Sequence, residues 1–184
     1  MTFIVGGARS GKSRYAEGLA AKHRGGKTYI ATAEALDDEM RERIAAHREQ
    51  RGNGWETVEA PLDLCKALRD CRAGFILVDC ITVWMGNLLH HGRDVKSEIA
   101  ELCHAVRQTR ARVVVVSNEV GSGIIPGNAL ARAFRDAQGL ANQHIAEVAD
   151  EVILVVAGLP MVLKKSRRRS ASTRTAGPSR GRKA

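Results

Sequence analysis

The apolar run Phe3-Ile4-Val5 passes directly into Gly6-Gly7-Ala8-Arg9-Ser10-Gly11-Lys12-Ser13, and no other junction constrains the fold as much. Gly6, Gly11, Lys12 and Ser13 fill the spacing of a phosphate-binding P-loop. The glycines let the backbone turn tightly, so that successive N–H groups face phosphate oxygens. Lys12 then supplies a point charge for the outer phosphates, and the Ser13 hydroxyl stands where Mg²⁺ is ligated. Ser13 to His23 reads as the helix that leaves such a loop. A plain glycine turn between strand and helix has no need of Lys-Ser at that spacing, so the chain is expected to bind a nucleoside triphosphate.

Further apolar runs recur along the chain: Thr2–Val5, Thr28–Ala31, Phe75–Asp79, Val113–Ser117 and Glu151–Val156. Runs apolar on both faces suit a parallel sheet covered by helices. The segments between them carry helical spacing. In Asn128–Ala149 the apolar positions are Leu130, Phe134, Ala137, Ala141, Ile145 and Val148, with Asn128 as the N-cap after Pro126-Gly127. Strand–helix alternation behind a P-loop predicts an α/β nucleotide-binding sheet.

At 184 residues the chain suits one domain, and the single break in composition falls near Lys164. Nine Lys or Arg and no acid lie in residues 164–184, which accounts for the whole net charge of +9 and leaves 1–163 neutral. The expected organisation is a catalytic domain over 1–163 and a basic, disordered tail over 164–184. That tail reads either as a nucleic-acid arm or as a solvated extension. The absence of interleaved aromatics favours the extension. Cys65, Cys71, Cys80 and Cys103 form no C-x-x-C pair, which fits reduced thiols in a cytosol rather than zinc or disulfides. No apolar stretch approaches the roughly 20 residues of a membrane span. A cytoplasmic protein is expected.

Three places carry candidate chemistry. Asp79 ends the run Phe75–Asp79 and either holds a magnesium ion or caps the next segment. In Leu36–Arg51, Met40 and Ile44 mark an apolar face that His47 continues, with Arg43, Arg48 and Arg51 around it. Those cations disfavour imidazolium and attract phosphates, so His47 is either a neutral nucleophile or a packed side chain. Asn118 and Glu119, in the Gly-rich stretch Ser117–Pro126, either touch substrate or satisfy the turn. His23, His90, His91, His104 and His144 read as structural or solvent-facing.

In combination, GGARSGKSRYAE, YIATAEALDDEMRERIAAH, LVDCITVWMGNLL and VVSNEVGSGIIPGNALARAFRDAQGLANQHIAEVADEVILVVAGLP resemble the bifunctional adenosylcobinamide kinase/adenosylcobinamide-phosphate guanylyltransferase family. The resemblance runs in order from about residue 2 to about residue 163. It implies a RecA-like P-loop NTPase fold, α/β with a mostly parallel sheet flanked by helices, and commonly a homo-oligomer. It also implies two reactions. ATP or GTP phosphorylates a hydroxyl of adenosylcobinamide, and GTP then donates GMP to that phosphate through a GMP-histidine intermediate. The matching residue is His47, preceded by Ala46 where family members often carry a second histidine.

The implied nucleotide contacts are Gly6, Gly7, Ala8, Arg9, Ser10, Gly11, Lys12 and Ser13; Ala31, Thr32 and Ala33; Arg48, Glu49, Gln50 and Arg51; Glu59; and Asp79. Ser13 and Asp79 are the expected Mg²⁺ ligands, and His47 and Lys12 the catalytic pair. Asp79 and Glu119 are candidate bases for the kinase step. The other classes open to such a chain are a small P-loop metabolite kinase without a covalent intermediate and a nucleic-acid-stimulated RecA-like ATPase.

Overall fold

A computed structural model describes residues 1–35, 38–51 and 53–165, without the side chains of Glu39, Arg43, His47, Gln50 and Arg51. Leu36, Asp37 and all of the expected tail beyond Lys165 lie outside the described residues.

Among the described residues seven strands form one sheet: β1 (Thr2–Gly6), β2 (Lys27–Ala31), β3 (Glu56–Glu59), β4 (Phe75–Asp79), β5 (Arg112–Asn118), β6 (Glu151–Val156) and β7 (Leu159–Lys164). Their order is β3-β2-β4-β5-β1-β6-β7, with every pairing parallel except β6 with β7. The helices are α1 (Lys12–Ala21), α2 (Asp38–Arg51), α3 (Leu64–Asp70), α4 (Ile81–His90), α5 (Val95–Gln108) and α6 (Ala129–Val148). Among the described residues no helix is long and apolar enough to cross a membrane.

The double-faced apolar runs have the expected physical basis. Successive strand residues alternate between faces, so Phe3, Ile76, Val78, Val113 and Val115 join one core with Leu64, Trp84, Met85, Leu102 and Ile145 of the helices. Ile4, Phe75, Leu77, Val114 and Val116 join a second core, with Ala16 and Ala20 of α1. A strand buried on both sides cannot alternate with polar residues, because each face excludes water.

Asn128 caps α6 as its position predicts, its Oδ1 accepting from the Ala131 N–H at 2.7 Å. The apolar face of that helix begins later than expected: Leu130 is exposed, and Phe134 is its first apolar position packed on the core. Two strands escaped the sequence reading. β3 is the polar ETVE, and β7 contains Pro160; both are edge strands, where one neighbour suffices and a missing N–H is tolerated.

The parallel arrangement sets the site. Gly6, Ala31, Asp79 and Asn118 end β1, β2, β4 and β5 at the same edge, since Gly6 pairs with Asn118 and Ala31 with Asp79. Loops beyond the carboxyl ends of parallel strands are where open α/β sheets bind ligands.

Candidate nucleotide site

The P-loop backbone needs its glycines at two places. A Cβ on Gly6 would stand 2.3 Å from the Val155 carbonyl oxygen, so only glycine lets β1 lie this close to β6. Gly11 has φ 98°, in the left-handed region, and caps α1. The β6–β7 turn, Ala157-Gly158, braces the loop from behind: the Gly158 N–H donates to the Ser10 carbonyl at 2.8 Å. Ser10 Oγ is buried and has no partner among the described residues, which leaves an unsatisfied hydroxyl inside the loop.

Lys12, at the start of α1, is buried and its Nζ donates to the Gly7 carbonyl at 2.6 Å. Burial lowers its pKa, opposed by Cys80 and Asp79.

Asp79 is turned toward the P-loop rather than toward the helix that follows it. Its Oδ2 accepts from Ser13 Oγ at 3.0 Å and from the Tyr29 hydroxyl at 3.2 Å. Cys80 occupies the N-cap of α4, which has no side-chain cap. Tyr29, on β2, was missed in the sequence, where it read as one more apolar strand position. Tyr29 pairs with Leu77, two residues before Asp79, and no local signal in the sequence marks its contact with that carboxylate.

Lys12, Ser13, Tyr29 and Asp79 line one cavity of about 720 Å³. Ala8, Arg9, Ser10, Gly11 and Arg14 form its P-loop side, Ala31 and Ala33 its β2 side, and Cys80, Val83, Val116 and Asn118 its floor. Met40, Ile44 and Ala46 close it from α2. The helix that carries His47 is therefore a wall of the cavity holding Lys12 and Ser13, although the His47 side chain itself lies outside the described residues. Arg48 and Glu49 are exposed on the same helix, and the side chains of Gln50 and Arg51 lie outside the described residues.

Among the described expected contacts, Gly6, Gly7, Arg48 and Glu49 are not part of the cavity lining, and Thr32 and Glu59 stand apart from it. Thr32 is fully buried: its Oγ1 donates to the Cys80 carbonyl and accepts from the Cys80 N–H, both at 2.8 Å, so the hydroxyl ties the end of β4 to that of β2. Glu59 ends β3 one strand beyond Ala31, its Cα partner, and lines a separate cavity of about 540 Å³ with Glu56 and Asp63. Asn87 of α4 fixes both loops, its Nδ2 donating to the carbonyls of Thr32 at 2.8 Å and Pro61 at 3.0 Å. His91, read as structural or solvent-facing, has an acid partner: its Nε2 is 3.4 Å from Glu34 Oε2 in the loop after β2. Glu119 is half-buried and its Oε1 accepts from the Gly121 N–H at 2.5 Å, the turn-satisfying alternative.

The cysteines are free thiols. Cys65, Glu98 and Glu101 gather three ligand-type atoms within 4.8 Å, but burial and the two glutamates push the thiol up to about 12. Glu98 is already paired with Arg93, and Glu101 with Arg69. Both carboxylates of this cluster are thus engaged by arginines. Burial likewise raises the Cys80 thiol to about 11, which keeps it inert beside the P-loop.

The sequence model for cobinamide kinase / cobinamide phosphate guanyltransferase matches residues 2–163. The chain belongs to that family. It is 46% identical over 165 residues to the bifunctional adenosylcobalamin biosynthesis protein CobP of Pseudomonas aeruginosa, covering 88% of this chain and 95% of that protein. It is 41% identical over 181 residues to the bifunctional adenosylcobalamin biosynthesis protein CobU of Escherichia coli K12, covering 89% and 99%. Among solved structures, the assembled ATPase EscN of the enteropathogenic E. coli type III secretion system aligns with a TM-score of 0.51 at 11% identity. That alignment covers 90% of this chain and 47% of the other, and it shows the fold alone: the RecA-like P-loop arrangement that the family resemblance implied.

Proposed function

We propose that this chain phosphorylates adenosylcobinamide with ATP or GTP and then transfers GMP from GTP to the product, giving adenosylcobinamide-GDP and pyrophosphate. One observation carries the reading beyond family membership. The cavity lined by Lys12, Ser13 and Asp79 has as its wall the helix bearing His47. A kinase needs only the first part; a nucleotidyl carrier needs both.

For GMP transfer, neutral His47 attacks the α-phosphorus of GTP. A P–N bond forms as the bond from that phosphorus to the bridging oxygen breaks, and pyrophosphate leaves. A phosphate oxygen of adenosylcobinamide phosphate then attacks the same phosphorus, the P–N bond breaks, and His47 is restored. A covalent intermediate divides one difficult displacement into two easier ones. The P-loop amides and Lys12 hold the leaving phosphates and neutralise the charge that builds on them. Arg48, exposed on the same helix, draws the triphosphate in.

The residues fit a magnesium ion. Ser13 Oγ and Asp79 Oδ2 are hard oxygen donors 3.0 Å apart beside Lys12, the donor type that Mg²⁺ prefers. Bound there, Mg²⁺ would neutralise charge on the phosphate oxygens. Tyr29 holds the carboxylate in place.

The enzyme works as a cytoplasmic homo-oligomer in this reading. Edge strand β7 supports association, because Leu159, Met161 and Leu163 are 73%, 58% and 57% exposed on a strand that has one strand neighbour among the described residues.

The deciding experiment incubates the full chain with GTP labelled with ³²P at the α-phosphate and denatures it. An acid-labile, alkali-stable protein–GMP adduct that discharges onto adenosylcobinamide phosphate supports the proposal. Kinase activity with no adduct would reduce the chain to a simple P-loop kinase. Triphosphate hydrolysis stimulated by nucleic acid, with neither activity, would point to the ATPase class.

A further inference from the structure

Asn118 ends β5, the strand lying between β1 with its P-loop and β4 with Asp79. The register places Asn118 beside Gly6 on one side, while Asp79 pairs with Val116 on the other. Asn118 thus stands two residues, about 6–7 Å, beyond the level of Asp79, over the gap between the P-loop and the expected metal carboxylate. It lines the nucleotide cavity, and among the described residues no hydrogen bond engages its side-chain amide.

Its backbone, by contrast, is held from two sides. The Asn118 N–H donates to Thr82 Oγ1 at 2.8 Å, and its carbonyl accepts from Asn142 Nδ2 at 3.0 Å. Behind these lies a buried polar cluster. Ser117 Oγ donates to Asn142 Oδ1 at 2.7 Å, and Gln138 Nε2 donates to Ser117 Oγ at 2.9 Å and to Asn142 Oδ1 at 3.0 Å. Ser117 and Gln138 are fully buried, and Gln138 Oε1 has no partner among the described residues. Aliphatic side chains would fill this space between β5 and α6 without an orphaned atom. A cluster kept despite that cost fixes geometry rather than adding stability, and Asn118 is where it reaches the cavity.

We propose that Asn118 is a catalytic residue of the phosphorylation step, its amide N–H donating to the γ-phosphoryl group as that group passes to the substrate hydroxyl, with Asn142 and Gln138 as positioning residues behind it. This rests on the functional reading above and adds a division of labour to it. In the step, the substrate oxygen bonds to the γ-phosphorus and the bond from that phosphorus to the β,γ-bridging oxygen breaks. The nucleoside diphosphate leaves with the bridging oxygen, and the hydroxyl proton is released to water. An uncharged donor at this point binds the equatorial oxygens where charge spreads in the transition state. Displacement at the α-phosphorus leaves the γ-phosphate as a spectator, so GMP transfer depends on Asn118 far less.

The test compares Asn118→Ala with the unaltered full chain in both reactions. Kinase kcat is expected to fall about 100-fold, as when one donor to a developing oxyanion is removed. The KM for nucleotide should stay within about threefold, and the kinase loss should exceed the loss of GMP labelling by at least about tenfold. An unchanged kinase kcat, or equal losses in both reactions, overturns the proposal. Asn142→Ala removes the bond to the carbonyl of residue 118 and should show the same split between kcat and KM with a smaller drop. A lowered melting temperature with both rate constants intact overturns the positioning role. If the unaltered chain shows neither activity, the functional reading itself fails; if it shows both and Asn118→Ala loses them equally, only this inference does.

Discussion

The Ser13 hydroxyl donates to the Asp79 carboxylate across 3.0 Å, joining two residues 66 positions apart at the ends of adjacent structural units. In the proposed reading these two oxygen donors beside Lys12 would hold the divalent cation that triphosphate chemistry uses. Asp79→Asn keeps the shape and removes the charge, so both activities should fall by at least about 100-fold, with a higher Mg²⁺ concentration needed for half-activation. Tyr29→Phe removes one donor to that carboxylate, worth about 1–2 kcal/mol, and should cost roughly tenfold. Titration of Mn²⁺ binding by electron paramagnetic resonance would separate metal affinity from turnover in each variant.

Lys12 yields a prediction with a definite sign. Burial lowers its folded pKa below 10.5, so between those values the unfolded chain holds more protons than the folded one. Stability from this group therefore rises with pH across that window. A bound triphosphate favours the charged amine and reverses the shift. Nucleotide binding should take up protons in the alkaline range below 10.5, and affinity should weaken as pH climbs through the lowered value. Calorimetry in two buffers of different ionisation enthalpy measures the uptake. Lys12→Ala should abolish it together with both activities.

His47→Ala should eliminate labelling of the protein by α-³²P GTP while sparing at least part of the kinase activity. Autoradiography of the denatured variant gives the answer, and labelling at the unaltered level would remove His47 from the mechanism.

Gly6→Ala tests the close approach of β1 to β6. Its Cβ would stand 2.3 Å from a backbone oxygen, which no side-chain adjustment relieves. A loss of about 1–3 kcal/mol in urea unfolding is expected, with weaker nucleotide binding, because the shift propagates into the P-loop.

Asn87→Leu matches the volume of the buried side chain but strands the carbonyls of Thr32 and Pro61. Each unsatisfied carbonyl carries a penalty of about 1–3 kcal/mol, so a loss of about 2–4 kcal/mol is expected in denaturant unfolding. The loop after β2 carries Ala33 of the nucleotide cavity, so affinity should fall as well.

The strands buried on both faces were readable because position alone demanded apolar residues there, and Phe75–Asp79 was recovered with its bounds intact. β3 and β7 were not, because an edge strand can be polar or hold Pro160 without breaking the sheet. The P-loop was readable because its steric and electrostatic needs fall within eight consecutive residues. Tyr29 and the cluster behind Asn118 were hidden for the opposite reason. Tyr29 meets Asp79 across 50 positions, and Gln138 meets Ser117 across 21, so nothing local marks either contact.

By itself the amino-acid order determined a P-loop entering a helix, a mainly parallel sheet with helices on both faces, and the family. These follow from short-range rules: glycine's conformational freedom, strand alternation and helical periodicity. Only the tertiary structure decided that Asp79 faces Ser13 instead of capping α4, that Thr32 ties two strand ends together, and that α2 walls the nucleotide cavity. Those outcomes depend on which strand lies beside which, and strand order comes from the packing of the whole sheet against its helices.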